Sequence, residues 1–442
     1  METYDVVIVG GGPAGFNGAK TVREVYPDRK ILLINDRNSL QIPCSIPYVI
    51  AGKVPLEKNV YPLEKVRDFA ELLIEKVVGI EPGTATLFTS TGRVRYEKLI
   101  LATGWLPRRL NLPGSHLKGI YYIDTTTEGV KRLKEEVERA KKIILIGAGF
   151  ISTGFADQIS RAYRDKEITV VEASEHIASG VFSDEFETEM VESLKAQGVR
   201  ILKNQRVTGF EGDDRVRKVL TQEGEIESEL VLIFIGFTPN SRLAVEGGIK
   251  TDSHGFIEVD SFLRTSADNI LAAGNCIAHR SLIDGKTIPA MLASVSARDG
   301  RIAALNTSGP QVKDEGIVPA GLTEVGGKFY GFAGYTEKLL KRDGFRFKAL
   351  SVSTTDAYPG ALPGCSPLKA KLYFTERGLL VGGEFSGKSR GVWSLVETTA
   401  RLIEGRKKAW EVATLLTTAF PPSTPPPLLQ PLQEAAVKFM KG

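Results

Sequence analysis

The chain has 442 residues, of which 42% are hydrophobic and 25% charged, with a formal net charge of +4. A chain of this length is expected to form two or three domains, and so small a net charge argues against a nucleic-acid-binding protein. Its acidic N-terminus is unlike a secretory signal, no apolar run is long enough to span a membrane, and three scattered cysteines suit a cytoplasmic protein without disulfides or a bound metal.

The first predicted elements form a dinucleotide-binding unit. Residues 5–9 are a continuous, β-branched apolar run, as in a buried parallel strand, and they lead into a G-x-G-x-x-G loop. A helix ending near Pro27 and a strand at 31–34 should follow. Asn35 lies about 20 residues after Gly15, where a ribose-binding acid is expected, and Asp36 is next. The residues predicted to contact the nucleotide here are Gly10, Gly12, Pro13, Ala14, Gly15, Asn35 and Asp36.

Cys44 follows this unit in the stretch Pro43-Cys44-Ser45-Ile46-Pro47-Tyr48. A buried structural cysteine is the ordinary interpretation of an isolated cysteine. Its position after a nucleotide-binding unit instead favours a redox role. We expect Cys44 at a helix start, held as a reactive thiolate by the helix dipole, with Ser45 contacting the substrate.

A second dinucleotide-binding unit repeats the pattern. The strand at 99–104 closes in a glycine turn, and the strand at 143–146 leads to Gly147 and Gly149, with Ser152 replacing the third glycine. The next strand ends at Glu172, at the same spacing as Asn35 in the first unit. Glu172 would bond the ribose 2′-hydroxyl of NADH and repel the 2′-phosphate of NADPH; the alternative is a solvated acid at a strand end. Two such units suggest a resident flavin and an exchanging NADH.

The remaining pattern predicts further elements. Strands are expected at 231–237 and 269–272, the latter ending in a glycine turn, and a helix at 292–305. From about residue 321 the strands shorten, at 324–332, 345–354, 368–374 and 379–385, with helices at 391–404 and 410–416. The proline-rich stretch 421–427 predicts an ordered, extended arm. This portion is interpreted as a separate α+β domain.

Together these stretches resemble the FAD-dependent pyridine nucleotide-disulfide oxidoreductases. The resemblance implies an α/β fold with an FAD-binding domain at 1–115 and 255–320, an NAD(H)-binding domain at 116–254, and a dimerisation domain at 321–442. It also implies a homodimer in which the arm helps form the partner's active site. The further cofactor contacts that it implies are Ala102, Thr103, Gly104, Phe150, Ile151, Gly236, Gly274 and Asn275.

Cys44 resembles the redox residue of the single-cysteine branch of this family, which includes CoA-disulfide reductases, NADH oxidases and NADH peroxidases. Oxidases and peroxidases carry a histidine in the first glycine loop, where this chain has Pro13. CoA-disulfide reductases use tyrosines of the C-terminal domain, and Tyr358 is similar to one of them, but the arm around Phe420 has no second tyrosine. Asn275 replaces a usual aspartate, and Gly154 replaces a common glutamate beside the nicotinamide.

The resulting hypothesis is an enzyme that carries electrons from NADH through FAD to Cys44 and then to a disulfide, persulfide or polysulfide, with Tyr358 of the partner as proton donor. CoA is a candidate substrate or ligand, and Lys20 and Arg23 could hold its phosphates or simply form a solvated face. Two alternatives stay open: a flavoprotein that reduces ferredoxin, rubredoxin or another redox protein, and an NADH oxidase. Cys276 is interpreted as packing, and Cys365 as a bystander or a resolving thiol.

Overall fold

The first part of the chain builds a mostly parallel sheet. The computed structural model describes residues 2–441. Its first elements are β1 Thr3–Val9, α1 Pro13–Val25, β2 Ile31–Asn35, α2 Ile46–Ile50, β3 Glu71–Ile74, β4 Val77–Glu81, β5 Thr86–Thr89, β6 Arg93–Leu101 and β7 Trp105–Pro107. Strand β1 pairs in parallel with β2 and β6, and β5 and β4 extend β6 in antiparallel. β1 and β2 are apolar throughout their centres because helices and loops cover both faces of the sheet.

The second part repeats this architecture. Its elements are β8 Ile120–Tyr122, α3 Thr127–Arg139, β9 Lys142–Ile146, α4 Phe150–Ala162, β10 Glu167–Val171, α5 Asp184–Ala196, β11 Arg200–Leu202, β12 Val207–Gly212, β13 Val216–Thr221, β14 Gly224–Glu227, β15 Leu230–Ile233, β16 Phe237–Pro239 and α6 Arg242–Glu246. Five strands form a parallel sheet in the order β11-β10-β9-β15-β8, and β12–β14 form an antiparallel sheet. The single strand predicted at 231–237 is wrong: the chain leaves the sheet after Ile233 and turns at Gly236, where φ is +94°.

The chain then returns to the first sheet. The elements here are β17 Ile270–Ala272, β18 His279–Arg280, β19 Thr287–Ile288 and α7 Ala293–Leu305. Strand β17 adds to the first sheet in parallel beside β6. Helix α7 packs closely on α1, where a Cβ on Gly300 would lie 2.1 Å from the Ala14 carbonyl oxygen. The turn after β17 is thereby enclosed between two helices.

The last part forms an antiparallel sheet covered by helices. Its elements are β20 Ala320–Val325, β21 Lys328–Gly334, α8 Glu337–Arg342, β22 Phe347–Thr355, β23 Pro367–Thr375, β24 Leu380–Gly387, α9 Val392–Glu404, α10 Ala409–Ala413 and α11 Pro431–Met440. The strand order is β20-β21-β24-β23-β22. No helix among residues 2–441 is both long and apolar enough to cross a membrane.

Two predictions for this last part are wrong. The strand expected at 324–332 is a hairpin, because Gly326 and Gly327 both adopt positive φ and reverse the chain. The stretch 421–427 is not simply extended: Ser423 and Thr424 donate backbone hydrogen bonds to the Phe420 carbonyl and form a turn. Helix α11, which the sequence reading missed, follows this arm and buries Leu432 against the last sheet. The α/β fold class with two Rossmann-like units is confirmed.

Candidate active site

Two glycine loops have the same geometry in the two parallel sheets. Gly10 and Gly147 both have positive φ, +109° and +89°. A Cβ on Gly10 would lie 2.2 Å from the Ala102 carbonyl oxygen, and one on Gly147 would lie 2.4 Å from that of Phe234. A side chain at either position would therefore push the loop away from its neighbouring strand. Each loop is held tightly at the carboxyl edge of its sheet, where dinucleotides bind in such folds.

The helices that follow these loops begin with free amide groups. Helices α1 and α4 each have 13 residues, no side-chain cap and no acidic residue in the first turn. The first helical hydrogen bonds come from Phe16 to Gly12 and from Thr153 to Gly149. The earlier N–H groups, including those of the predicted contacts Ala14, Gly15, Phe150 and Ile151, have no helical acceptor. Such helix starts fit a pyrophosphate, so each unit can hold a dinucleotide.

Asn35 and Glu172 hold the loops from the ends of β2 and β10. Asn35 Oδ1 accepts a hydrogen bond from the Gly11 N–H at 2.8 Å, and Glu172 Oε2 accepts one from the Ala148 N–H at 2.7 Å. The other Glu172 oxygen accepts hydrogen bonds from the Ser174 N–H and hydroxyl. Both side chains retain acceptor capacity. Asp36 is paired with Arg37 and is exposed.

Cys44 lies where the two nucleotide units meet. It belongs to a short 3₁₀ turn, Pro43–Ser45, that leads into α2. Although α2 lies between strands β2 and β3 of the first sheet in the chain, its apolar residues are fully buried in the core of the second unit: Ile46, Val49 and Ile50. Tyr163, which follows α4, donates a hydrogen bond to the Ile50 carbonyl at 2.9 Å. The packing of α2 thus carries Cys44 to the boundary, with its side chain exposed.

The prediction that the start of a helix stabilises a Cys44 thiolate is wrong as far as the atoms of the protein itself are concerned. Although the side chain reaches solvent, burial of its surroundings raises the pKa of the Cys44 thiol above its ordinary value. A backbone hydrogen bond lowers this pKa but does not outweigh the desolvation. Helix α2 has only five residues, too few to build a strong dipole that would oppose this desolvation.

Tyr61 is a site residue that sequence reasoning missed. Gln41 and Val60 form an antiparallel bridge, and the Tyr61 N–H donates to the Leu40 carbonyl at 2.8 Å. Desolvation, and after it the charge of Cys44, raises the pKa of the Tyr61 phenol. The phenol therefore stays a hydrogen-bond donor at neutral pH. Seventeen positions separate the two residues (61 − 44 = 17), and no local periodicity in the sequence relates them.

Asn240 forms hydrogen bonds that fix the segment around Thr103, where the two units are connected. The Thr103 hydroxyl donates to the Asn240 carbonyl at 2.6 Å, and the Asn240 side chain donates to the Thr103 carbonyl at 3.1 Å. The Asn240 N–H also donates to the Gly104 carbonyl, and Arg108 donates to that of Gly236. Strands β7 and β16 pair here. The predicted contacts Ala102, Thr103, Gly104 and Gly236 therefore lie in one region between the units.

Other predicted residues lie elsewhere. Tyr358, with 41% of its surface exposed, donates its backbone N–H to the Pro421 carbonyl and lies beside the arm rather than beside Cys44 of the same chain. Lys20 is exposed and pairs with Glu24. Arg23 donates to the carbonyls of Phe69 and Pro27, which leaves its guanidinium engaged by backbone. Ser45 is half-buried beside Cys44.

The remaining cysteines fit the structural interpretation. Cys276 is fully buried, and its thiol donates to the carbonyl oxygens of Leu101 and Ala273 at 3.4 and 3.3 Å. Burial raises the pKa of this thiol. Cys365 lies 3.7 Å from the Ala357 carbonyl oxygen in the loop that carries Tyr358. Neither cysteine forms a disulfide with Cys44 within residues 2–441.

One cluster has the composition of a metal site. Ligand atoms of His176, Asp184 and Glu187 lie within 4.8 Å of one another. Two ammonium groups already occupy it: Lys338 Nζ lies 3.1 Å from Asp184 Oδ1, and Lys203 Nζ lies 2.6 Å from Glu187 Oε1. Because these cations balance the carboxylates, the arrangement is that of an ion-pair network.

Comparison with known proteins agrees with this geometry. The sequence model of the family described as "Pyridine nucleotide-disulphide oxidoreductase" matches residues 4–300. A "NAD(P)H sulfur oxidoreductase (CoA-dependent)" of Pyrococcus furiosus is 29% identical over 372 residues, 81% of this chain and 83% of the relative. A "Rubredoxin-NAD(+) reductase" of Pseudomonas putida is 29% identical over 294 residues, 64% of this chain and 74% of the relative. A solved NAD-dependent persulfide reductase from A. fulgidus superposes with a TM-score of 0.91 at 24% identity, covering 99% of this chain and 83% of that one.

Proposed function

The chain belongs to the pyridine nucleotide-disulphide oxidoreductase family, and on that premise we propose that it passes electrons from NADH through FAD to Cys44 and then to a disulfide, persulfide or polysulfide. The first unit would hold FAD and the second NADH, with the domain boundaries expected from the sequence and a cytoplasmic location. The observation that carries the proposal is the position of the exposed Cys44 immediately before α2, whose apolar residues pack in the core of the second unit. The sulfur substrates named for the P. furiosus and A. fulgidus proteins support the acceptor class.

The chain's own residues account for the sulfur chemistry. The Cys44 thiolate attacks one sulfur of R–S–S–R′, the S–S bond breaks, and R′S⁻ leaves. FAD, when bound, supplies the two-electron link between NADH and the resulting Cys44–S–S–R bond. Cleavage of that bond by two electrons regenerates the Cys44 thiolate and releases RS⁻, and protons from water complete both thiols. The Tyr61 hydroxyl is a donor for the anionic sulfur, in addition to the partner's Tyr358.

We expect the bound substrate to supply the stabilisation of the Cys44 thiolate that the protein atoms lack. Because burial raises the pKa of Cys44, the thiolate needs a further donor or positive partner in the working complex. CoA remains a candidate substrate or ligand, with exposed Lys20 and half-buried Ser45 as possible contacts, whereas Arg23 would have to exchange its backbone partners.

An anaerobic NADH titration tests the proposal directly. Protein that is first treated with a disulfide, so that Cys44 carries a Cys44–S–S–R bond, should take up four electrons per FAD, two by the flavin and two by that disulfide. Two electrons per FAD, with no NADH-dependent reduction of polysulfide or CoA disulfide, would contradict it. In that case the second candidate function, the reduction of a redox-protein partner such as rubredoxin, would replace the first. The P. putida relative supports that function.

We also propose a homodimer whose arm, residues 420–431, completes the partner's site. Tyr358, Phe420 and Leu428 are exposed by 41%, 57% and 79%, and the Tyr358–Pro421 hydrogen bond joins the loop and the arm on one surface. Because α11 packs in the core of the last sheet, truncating the arm would remove core residues. Leu428→Glu is therefore the better test: light scattering should show a monomer with FAD retained and sulfur reduction lost. A fully active monomer would contradict this proposal.

A further inference from the structure

A buried ionisable pair lies beneath the turn that follows β17. His279 Nε2 lies 2.7 Å from Asp299 Oδ2, and both side chains are completely buried. His279 comes from β18, and Asp299 from the middle of α7. The sulfur chemistry proposed above makes no use of either residue. A buried carboxyl–imidazole pair of this kind needs an explanation, because removing such polar groups from water is costly.

The carboxylate of this pair also holds the backbone of the turn. Asp299 Oδ2 accepts a hydrogen bond from the Gly274 N–H at 3.2 Å. Gly274 has a φ of +80°, and a Cβ there would lie 3.0 Å from that of Ala14 and 3.2 Å from Ser296 Oγ. The turn is therefore confined between α1, which begins at the first glycine loop, and α7. Asp299 ties the turn to α7, and His279 orients the carboxylate.

The neighbouring Asn275 explains why the carboxylate lies in the helix and not in the turn. In the amide orientation that satisfies both ends, Asn275 donates to the Ala290 carbonyl at 2.8 Å and to Ser296, and accepts from the Trp105 indole N–H at 3.3 Å. A carboxylate at position 275 would place an acceptor against the Ala290 carbonyl oxygen. The asparagine oxygen keeps one acceptor site for a ligand hydroxyl. The carboxyl group of this region belongs to Asp299 of α7 instead.

The pair is not explained by stability alone. Among residues 2–441, no hydrogen bond reaches Asp299 Oδ1 or His279 Nδ1. The nearest cation to Oδ1, Arg298, is 3.7 Å away and also pairs with Asp314 at 2.8 Å. Replacing an incompletely bonded buried pair by apolar side chains is often neutral or stabilising. The role of the His279–Asp299 pair is then to orient the Gly274 amide that Asp299 holds.

We propose that His279 and Asp299 are positioning residues for FAD, which fix the Gly274–Asn275 turn so that it binds the ribityl chain beside the first glycine loop. This inference rests on the proposed function, since it takes the first unit as the FAD site. Neither side chain reaches the ligand; both act through the backbone N–H of Gly274 and the adjoining Asn275 amide. Their loss loosens FAD without unfolding the chain.

The test measures FAD affinity and stability separately. The double variant His279→Leu/Asp299→Leu removes both partners, so that no unpaired charge stays buried, and it should fold. We expect its apoprotein to bind FAD about tenfold more weakly, measured by quenching of FAD fluorescence. Asp299→Asn keeps an acceptor for the Gly274 N–H, so this variant should retain most of the wild-type affinity for FAD. Tyr373→Phe, a matched change in the buried Tyr373–Glu384 hydrogen bond of the last sheet, should alter the Tm and leave the FAD affinity unchanged.

The outcomes separate this inference from the proposed function. If wild-type protein fails to bind FAD, the proposed function fails. If wild type binds FAD but the double variant binds it within twofold as tightly, the positioning role is overturned. The same holds if Asp299→Asn is as weak as the double variant, because the lost contact is then not the one to Gly274.

Discussion

The Glu172 carboxylate accepts a hydrogen bond from the backbone N–H of Ala148 at 2.7 Å, so the acid that follows β10 also fixes the glycine loop that follows β9. Asn35 and Gly11 repeat this relationship in the first unit at 2.8 Å. In each unit, a side chain at the end of the second strand therefore holds the glycine loop in place.

NADH should be a better reductant than NADPH because the Glu172 carboxylate repels a 2′-phosphate. Glu172→Ala should weaken NADH use by about 1–2 kcal/mol in kcat/KM, the scale of a hydrogen bond to a charged group. Steady-state kcat/KM values for both nucleotides are the measurement. Glu175→Ala, an exposed acid three positions later, should leave them unchanged. An NADPH preference in wild type would contradict the assignment of Glu172.

Cys44→Ser should abolish NADH-dependent reduction of disulfides or polysulfides, because a serine hydroxyl cannot form the mixed disulfide. Reduction of FAD by NADH should persist, since it needs only the two nucleotide sites. Stopped-flow absorbance of the flavin and release of sulfide measure the two steps. Cys365→Ser is the control and should keep both. If Cys44→Ser retains sulfur reduction, the cysteine is structural and the redox-protein function gains support.

Gly154 should accept a side chain, in contrast to Gly10. It lies within α4, and a Cβ there would meet no atom within 4 Å, whereas a Cβ on Gly10 would lie 2.2 Å from the Ala102 oxygen. Gly154→Ala should therefore raise the free energy of unfolding by about 0.5–1 kcal/mol through helix propensity, with FAD reduction by NADH retained. Gly10→Ala should lose FAD. Denaturant unfolding and the flavin content of the purified variants check both. Loss of NADH reduction in Gly154→Ala would instead show that the nicotinamide needs this space.

Glu384 should make stability depend on pH. Its side chain is fully buried, where it accepts hydrogen bonds from Tyr373 and from the Ser183 N–H, and burial raises its pKa to about 7. A carboxyl whose folded pKa is raised binds more protons when folded. The contribution of Glu384 to the free energy of unfolding is fully present below about pH 4.5. It is lost as the pH rises through 7, which lowers the free energy of unfolding by up to about 3 kcal/mol. Denaturant unfolding at several pH values should show this slope in wild type.

The matched variants for this group are Glu384→Gln and Glu376→Gln. Glu384→Gln cannot titrate and should lose the slope between pH 4.5 and 7. Glu376 is exposed, so Glu376→Gln should keep the wild-type dependence. Identical slopes in all three proteins would mean that the Glu384 carboxyl does not titrate in this range.

The sequence by itself determined the two nucleotide units. Their information is local: an apolar strand, glycines at fixed spacing, a helix and a second strand ending at Asn35 or Glu172 all lie within a few tens of residues. A side chain at Gly10 or Gly147 would clash with a neighbouring strand, so few other residues are allowed there. Such a constraint can be recognised from the sequence alone. The resemblance that these motifs carry also indicated the family, to which the chain belongs.

Only the tertiary structure decided how Cys44 and its surroundings are arranged. The burial of α2 in the second core, the approach of Tyr61, the Gly326–Gly327 hairpin and the His279–Asp299 pair each depend on contacts between segments distant in sequence. The raised pKa of Cys44 arises in the same way, because desolvation is a sum over neighbouring atoms and not a property of the residues beside it in the chain.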